Sequence, residues 1–204
     1  MNRSSGTRAP ALLMLSALAA CNPSQPASNV VAGAQAPPLA GARIGGPFAL
    51  TDQDAHAVTE KSWPGQYRIM YFGYTYCPDI CPTDLQQIGA GLRAFEQQSP
   101  ALAKRVQPIM ISVDPQRDTP AVLKQYVAAF HPRLVGLTGA QPAITAVAKA
   151  YGVYSARRDN PGGEYLMDHS NQAYLMAPDG APIALLPTDQ GPQAVAAELA
   201  KWVR

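Results

Sequence analysis

Cysteine is scarce in this sequence, with 3 among 204 residues, and histidine is equally so. A four-cysteine zinc site is excluded by that count, and a two-cysteine, two-histidine site is excluded because His56, His131 and His169 form no helical pair. Long apolar runs are also lacking. The apolar stretch near the start runs only from Ala9 to Ala20, whereas a membrane-crossing helix needs about 20 residues. Charge is in short supply too: charged residues make up 15% of the chain and the net charge is +2. Arg3 and Arg8 account for that excess, and without them 14 basic residues face 14 acidic ones. A balanced chain of this kind gives no electrostatic case for nucleic acid. There is no internal repeat.

What the sequence has, it places in order. Arg3 and Arg8 followed by a short apolar stretch read as a secretory signal. Its end, Leu18-Ala19-Ala20-Cys21, resembles the bacterial lipobox, in which the cysteine is acylated and becomes the mature N-terminus. Residues 1–20 are thus expected to be a lipoprotein signal peptide and Cys21 the lipid attachment point; the alternative is ordinary cleavage near Ala20 that leaves Cys21 free. Residues 21–42 are rich in proline and poor in large apolar residues, as a flexible tether would be. Residues 43–204 are long enough for one domain with a substantial core. The expected location is the bacterial cell envelope, facing the periplasm and held to the membrane by lipid.

Within the domain, "PFALTDQDAHAV" (47–58) has short strand character around an acidic turn, and "QYRIMYFGY" (66–74) is β-branched and aromatic. From Pro82 the apolar spacing becomes helical through Leu85, Ile88, Leu92 and Phe95. "RVQPIMISVD" (105–114) reads as a strand covered on both faces. Thr119 and Pro120 mark a helix start, and Val122, Leu123, Tyr126, Val127 and Phe130 supply its stripe. A further helix through Ile144, Val147 and Tyr151 stops at Gly152. Residues 171–187 read as two strands joined at Asp179-Gly180, and Val195, Leu199, Trp202 and Val203 as a last helix. The order predicts an α/β fold of thioredoxin-like layout, a central mixed β-sheet flanked by helices.

The chemistry centres on "YFGYTYCPDICPTDL" (71–85), in which Cys77 and Cys81 are each followed by proline. Proline disfavours helix at the residue before it, so both cysteines are expected in the loop, Cys81 at the threshold of a helix opened by Pro82. The positive end of that helix favours thiolate. A bridge over so short a loop would restrain the unfolded chain very little. Two jobs stay open, thiol–disulfide exchange and binding of a soft metal, and two sulfurs with one further donor suit Cu(I). His56 reads as a solvated loop residue. His131, before Pro132, is expected to hydrogen-bond the last carbonyls of its helix. His169 in "LMDHSNQAYLM" closes a polar stretch just before a strand expected beside residues 66–74, which favours it as the third donor, with Asp168 holding its other nitrogen. Asp114, Arg117 and Asp118 in "SVDPQRDTP" lie at a strand end and helix start, where capping competes with lining the dithiol loop. Tyr74 and Tyr76 flank the cysteines, either shielding them from water or serving as strand residues.

Together, "GYTYCPDICPTDL", "SVDPQRDTP", "FHPRLVGLTG" and "DHSNQAYLMAPDG" resemble the Sco/SenC family of copper-delivery proteins, over about residues 44–202. The resemblance implies a thioredoxin-like, membrane-anchored domain that binds copper, as Cu(I) or Cu(II), through Cys77, Cys81 and His169. It implies a part in assembling the CuA centre of cytochrome c oxidase, with the CuA-bearing subunit or another periplasmic copper protein as partner. The expected role is a carrier rather than a catalyst. The alternative is a thiol–disulfide reductase that keeps the oxidase's copper-site cysteines reduced, with Cys77 and Cys81 as its redox dithiol. A thiol peroxidase would need an arginine beside its cysteine, and "YTYCPDICP" offers none.

Overall fold

The apolar runs of the sequence become the middle strands of a sheet whose edges are short and more polar. A computed structural model describes residues 35–204, of which Ala36–Arg204 form the compact unit. β1 (Ala49–Asp52) and β2 (Ala57–Thr59) form a hairpin; β3 (Tyr67–Gly73) leads into α1 (Ile80–Gln98) and a single turn, α2 (Pro100–Ala103). β4 (Val106–Ser112), α3 (Pro120–Ala128), β5 (Val135–Thr138) and α4 (Gln141–Ala150) follow. A hairpin of β6 (Ser155–Arg158) and β7 (Leu166–His169) precedes β8 (Ala173–Met176), β9 (Pro182–Leu185) and α5 (Pro192–Trp202). The main sheet runs β2-β1-β5-β4-β3-β8-β9, while β6 and β7 pair only with each other. β3, β4 and β5 are parallel; β1, β8 and β9 run against their neighbours.

Side chains alternate across β3 and settle the layers. All of β3 is buried; Tyr71 points to α1, donating from its hydroxyl to Asp84 at 3.0 Å, and Phe72 meets Tyr151 beyond α4 at 5.3 Å between ring centres. α1 packs along α5 on the first face, through the predicted stripe Leu85, Ile88, Leu92 and Phe95. α3 begins as the sequence indicates: Pro120 is its first residue and the Thr119 hydroxyl accepts the Val122 N–H. Gly152 ends the α4 segment at φ +65°, and Gly180 turns β8 into β9 at φ +93°, both left-handed positions that glycine adopts without strain.

The structure departs from the sequence reading in four places. β5 is a four-residue strand inside "LVGLTG", too short to declare itself, and α2 is shorter still relative to a helical period. The hairpin β6–β7 forms in the stretch that reads as polar loop, because Ser155, Arg157 and Arg158 give no apolar alternation. α1 starts at Ile80, so Cys81 lies inside the helix. The N–H groups of a helix's first turn have no partner within the helix, so a proline there loses no helical hydrogen bond. Finally, Leu39 donates its N–H to the Ile183 carbonyl at 3.0 Å, so the compact unit takes in the last part of the stretch read as tether. The signal segment 1–20, Cys21 and the tether up to residue 34 lie outside the described residues. Among the described residues no helix is long and apolar enough to cross a membrane.

Candidate metal centre

The site forms where β3 ends and the chain turns into α1, beside the hairpin that carries His169. Thr75 fixes the start of the loop. Its N–H and hydroxyl both donate to Asp118, at 3.1 and 2.6 Å, and Asp118 also accepts the Ser112 hydroxyl at 2.5 Å. Burial raises the Asp118 carboxyl above the usual range, and these hydrogen bonds only partly offset that. Cys77 is half-buried and Cys81 is buried. The Cys81 N–H, in the first turn of α1, donates to Cys77 Sγ at 3.4 Å, so the sulfur takes the place a capping side chain would fill; Asp79, at the cap position, makes no side-chain cap bond.

His169 Nε2 lies 3.1 Å from Cys81 Sγ, and the two sulfurs and a ring nitrogen all fall within 4.8 Å of one another. This is the one such donor cluster found among the described residues. The imidazole is oriented by its other nitrogen: Nδ1 is 2.8 Å from the Ser170 carbonyl, which can only accept. Nδ1 therefore carries a proton in either charge state, and in the neutral ring Nε2 presents its lone pair to the sulfurs. Tyr74, buried, meets the ring edge-on at 5.7 Å, and its hydroxyl accepts the Met167 N–H from the hairpin.

The two thiols are unequal. The hydrogen bond from Cys81 is the main force holding the Cys77 thiol down at about 3; burial opposes it, and His169 and the backbone N–H groups of Asp79 and Cys81 add to it. Cys81 is pushed up by the neighbouring Cys77 sulfur and by burial, so it keeps its proton. The helix start favours thiolate at Cys77 as expected, and that same thiolate disfavours a second one. Burial, the largest single influence on His169, pulls its pKa down. The Cys77 sulfur, the Ser170 carbonyl and Asp84 together outweigh it and raise the imidazole.

Two sequence expectations are corrected here, and one left open between two readings is decided. Asp168 does not hold His169; it pairs with Arg158 across the hairpin at 2.9 Å, because successive side chains in a strand face opposite ways. His131 does not cap α3 with its ring: it is buried, its Nδ1 accepts the Arg133 N–H, and its Nε2 lies 3.5 Å from Glu96. Asp114 and Asp118 cap no helix. Asp118 pins the dithiol loop, and Asp114 accepts from Arg117 and from the Tyr165 hydroxyl. His56 is an exposed loop residue paired with Asp52, as read.

Gly73 is a site residue that the sequence reading missed. A Cβ there would lie 2.9 Å from Cys81 Sγ and 2.9 Å from the Tyr71 ring, so only glycine lets that sulfur pack against the end of β3. Its position in "YFGYTYC", four residues before Cys77, was the available signal. Asp84 was missed as well; it is buried beneath the site with Tyr71, and burial raises its carboxyl.

The SCO1/SenC family model matches residues 36–204. The chain belongs to that family. It is 43% identical over 151 residues to the mitochondrial protein SCO1 homolog 1 of Arabidopsis thaliana, a match that covers 74% of this chain and 44% of that one. This Sco-family chain spans about half the length of the mitochondrial relatives it matches. The structure of Bradyrhizobium japonicum ScoI with copper bound superposes with a TM-score of 0.71 at 44% identity, covering 78% of this chain and 99% of that one. BsSco, described as a member of the Sco family of cytochrome c oxidase assembly proteins in which a disulfide switch was identified, gives 0.55 at 25% identity over 80% and 96%. The fold is thioredoxin-like, as the element order predicted.

Proposed function

We propose that this Sco-family chain is a copper carrier. Cys77, Cys81 and His169 hold one copper ion, and the chain passes it to the CuA-bearing subunit of a cytochrome c oxidase or to another periplasmic copper protein. The observation that carries the reading is the convergence of two sulfurs and one imidazole nitrogen within 4.8 Å. Soft thiolates and an imidazole suit Cu(I), whereas structural zinc would want a fourth donor. Uptake displaces the proton on Cys81, and the half-buried Cys77 leaves one edge of the site open for handover. The copper-bound Bradyrhizobium relative and the oxidase-assembly role of BsSco support this reading. We also infer a signal peptide over residues 1–20, lipid on Cys21 and a tether to the domain, which would keep the site at the periplasmic face of a membrane.

A second reading rests on the unequal thiols. A half-buried, low-pKa Cys77 beside a buried, protonated Cys81 is a competent arrangement for exchange: the Cys77 thiolate attacks a disulfide of the target, and Cys81 then resolves the mixed disulfide. Two electrons pass from the dithiol to the target, and Cys77–Cys81 ends oxidised. His169→Ala separates the readings, because exchange needs only the sulfurs. The carrier reading expects that variant to form and break its disulfide normally, to retain weakened Cu(I) binding on two thiolates, to lose its thiolate-to-Cu(II) absorption and to fail in oxidase assembly. If His169→Ala assembled the oxidase as well as wild type while Cys77→Ser did not, the reductase reading would replace it.

A further inference from the structure

The hairpin that carries His169 makes no ladder with the main sheet. Its place beside the dithiol loop is therefore set largely by side chains, and these converge on Arg117. That residue lies between β4 and α3, in neither the loop nor the hairpin. Its guanidinium carbon is 3.7 Å from the ring centre of Tyr165, which immediately precedes β7, and 4.6 and 5.8 Å from those of Tyr76 and Tyr74 in the dithiol loop. Arg157 of β6 lies over the same Tyr165 ring at 3.9 Å.

The hydrogen bonds follow the same division. Arg117 Nε donates to Asp114 Oδ2 at 2.5 Å, and Nη1 donates to the Tyr165 carbonyl at 3.0 Å and to Glu164 at 3.2 Å. The Tyr165 hydroxyl closes the circuit on Asp114 Oδ1 at 2.8 Å. Nη2 is buried without a hydrogen-bond partner, as suits a cation enclosed by aromatic rings. One planar cation thus touches both the loop that carries the sulfurs and the hairpin that carries the imidazole, and the loop has a separate anchor in Asp118. The hairpin has, besides the Met167 N–H held by the Tyr74 hydroxyl, chiefly this cation to tie it to the loop.

We propose that Arg117 is a positioning residue that clamps the His169 hairpin onto the dithiol loop, so that the nitrogen donor stands beside the two sulfurs before metal arrives. The consequence for copper rests on the carrier reading; the clamp itself does not. Without Arg117 the sulfurs stay together while the imidazole moves off, and a three-donor site becomes a two-donor one.

The test is amide hydrogen exchange of the metal-free protein, followed by X-ray absorption at the copper edge after Cu(I) loading. In Arg117→Ala, amides of residues 155–169 should exchange at least roughly tenfold faster than in wild type, while those of β3 and α1 keep their protection. Tyr165→Leu should act in the same direction and more weakly. It removes the ring and hydroxyl from the hairpin side, is only partly buried, and carries the test if Arg117→Ala does not fold. Arg117→Lys should fall between, since lysine keeps the charge without the planar fork. Loaded Arg117→Ala should hold as much Cu(I) as wild type with the nitrogen contribution lost. Unchanged hairpin exchange in both Arg117→Ala and Tyr165→Leu would overturn the clamp. A wild-type chain that takes up no copper would sink the carrier reading and leave the exchange result to decide the clamp.

Discussion

Gly73 shows how a residue without chemistry of its own controls the chemistry beside it. Replacing it with alanine forces a methyl group to within 2.9 Å of Cys81 Sγ and the Tyr71 ring, and both are fully buried and cannot give way freely. Overpacking of this sort costs about 1–3 kcal/mol. Gly73→Ala should lower the free energy of unfolding by that amount and slow disulfide formation between Cys77 and Cys81, because the Cys81 sulfur is displaced from its partner. Equal stability and equal oxidation rates would show that the strand end is not packed as described. Cys77, Cys81 and His169 were legible because sulfur and imidazole are so few in this chain that each must be accounted for. Gly73, Asp118 and the Ser170 carbonyl were not, since their roles depend on atoms brought close by the fold. The sequence pairs His169 with Asp168 by adjacency, and the pleat of β7 points them apart.

Each element that holds the site is legible to the extent that its pattern is apolar. β3, β4 and the stripe of α1 declare themselves because they are buried; β6 and β7 do not, because side-chain contacts through Arg117 and Tyr165 replace a buried face. The end of α3 offers a pH test of this packing. His131 sits buried between Glu96, Arg93 and Arg133. Burial lowers its pKa, with Glu96 opposing and the arginines assisting, so the folded protein keeps it neutral. The unfolded chain, with a histidine pKa of about 6.5, binds the proton more readily. Stability from this residue is therefore full above that value and is lost as pH falls below it toward the lower folded pKa. His131→Asn, which retains an acceptor for the Arg133 N–H, should be less stable at neutral pH yet lose less stability between about pH 6.5 and 5. Parallel stability curves for the variant and wild type across that window would contradict the assignment.

At the scale of the whole molecule the sequence anticipated one α/β domain with its dithiol at a strand-to-helix junction. It did not anticipate that Leu39 and its neighbours belong to that domain, since a single backbone hydrogen bond to Ile183 leaves no trace in composition. The anchor is testable at this scale. Cys21→Ser should move the protein from the membrane fraction to the soluble one, and retention in the membrane would refute lipid attachment there. The central claim, that this Sco-family chain carries copper on two sulfurs and an imidazole, is tested most directly by metal analysis of the protein purified without oxygen. The account predicts copper and chain in equal amounts, with the metal lost when Cys77 and Cys81 are both replaced by serine. A fully reduced dithiol that comes without metal and refuses added Cu(I) would contradict it.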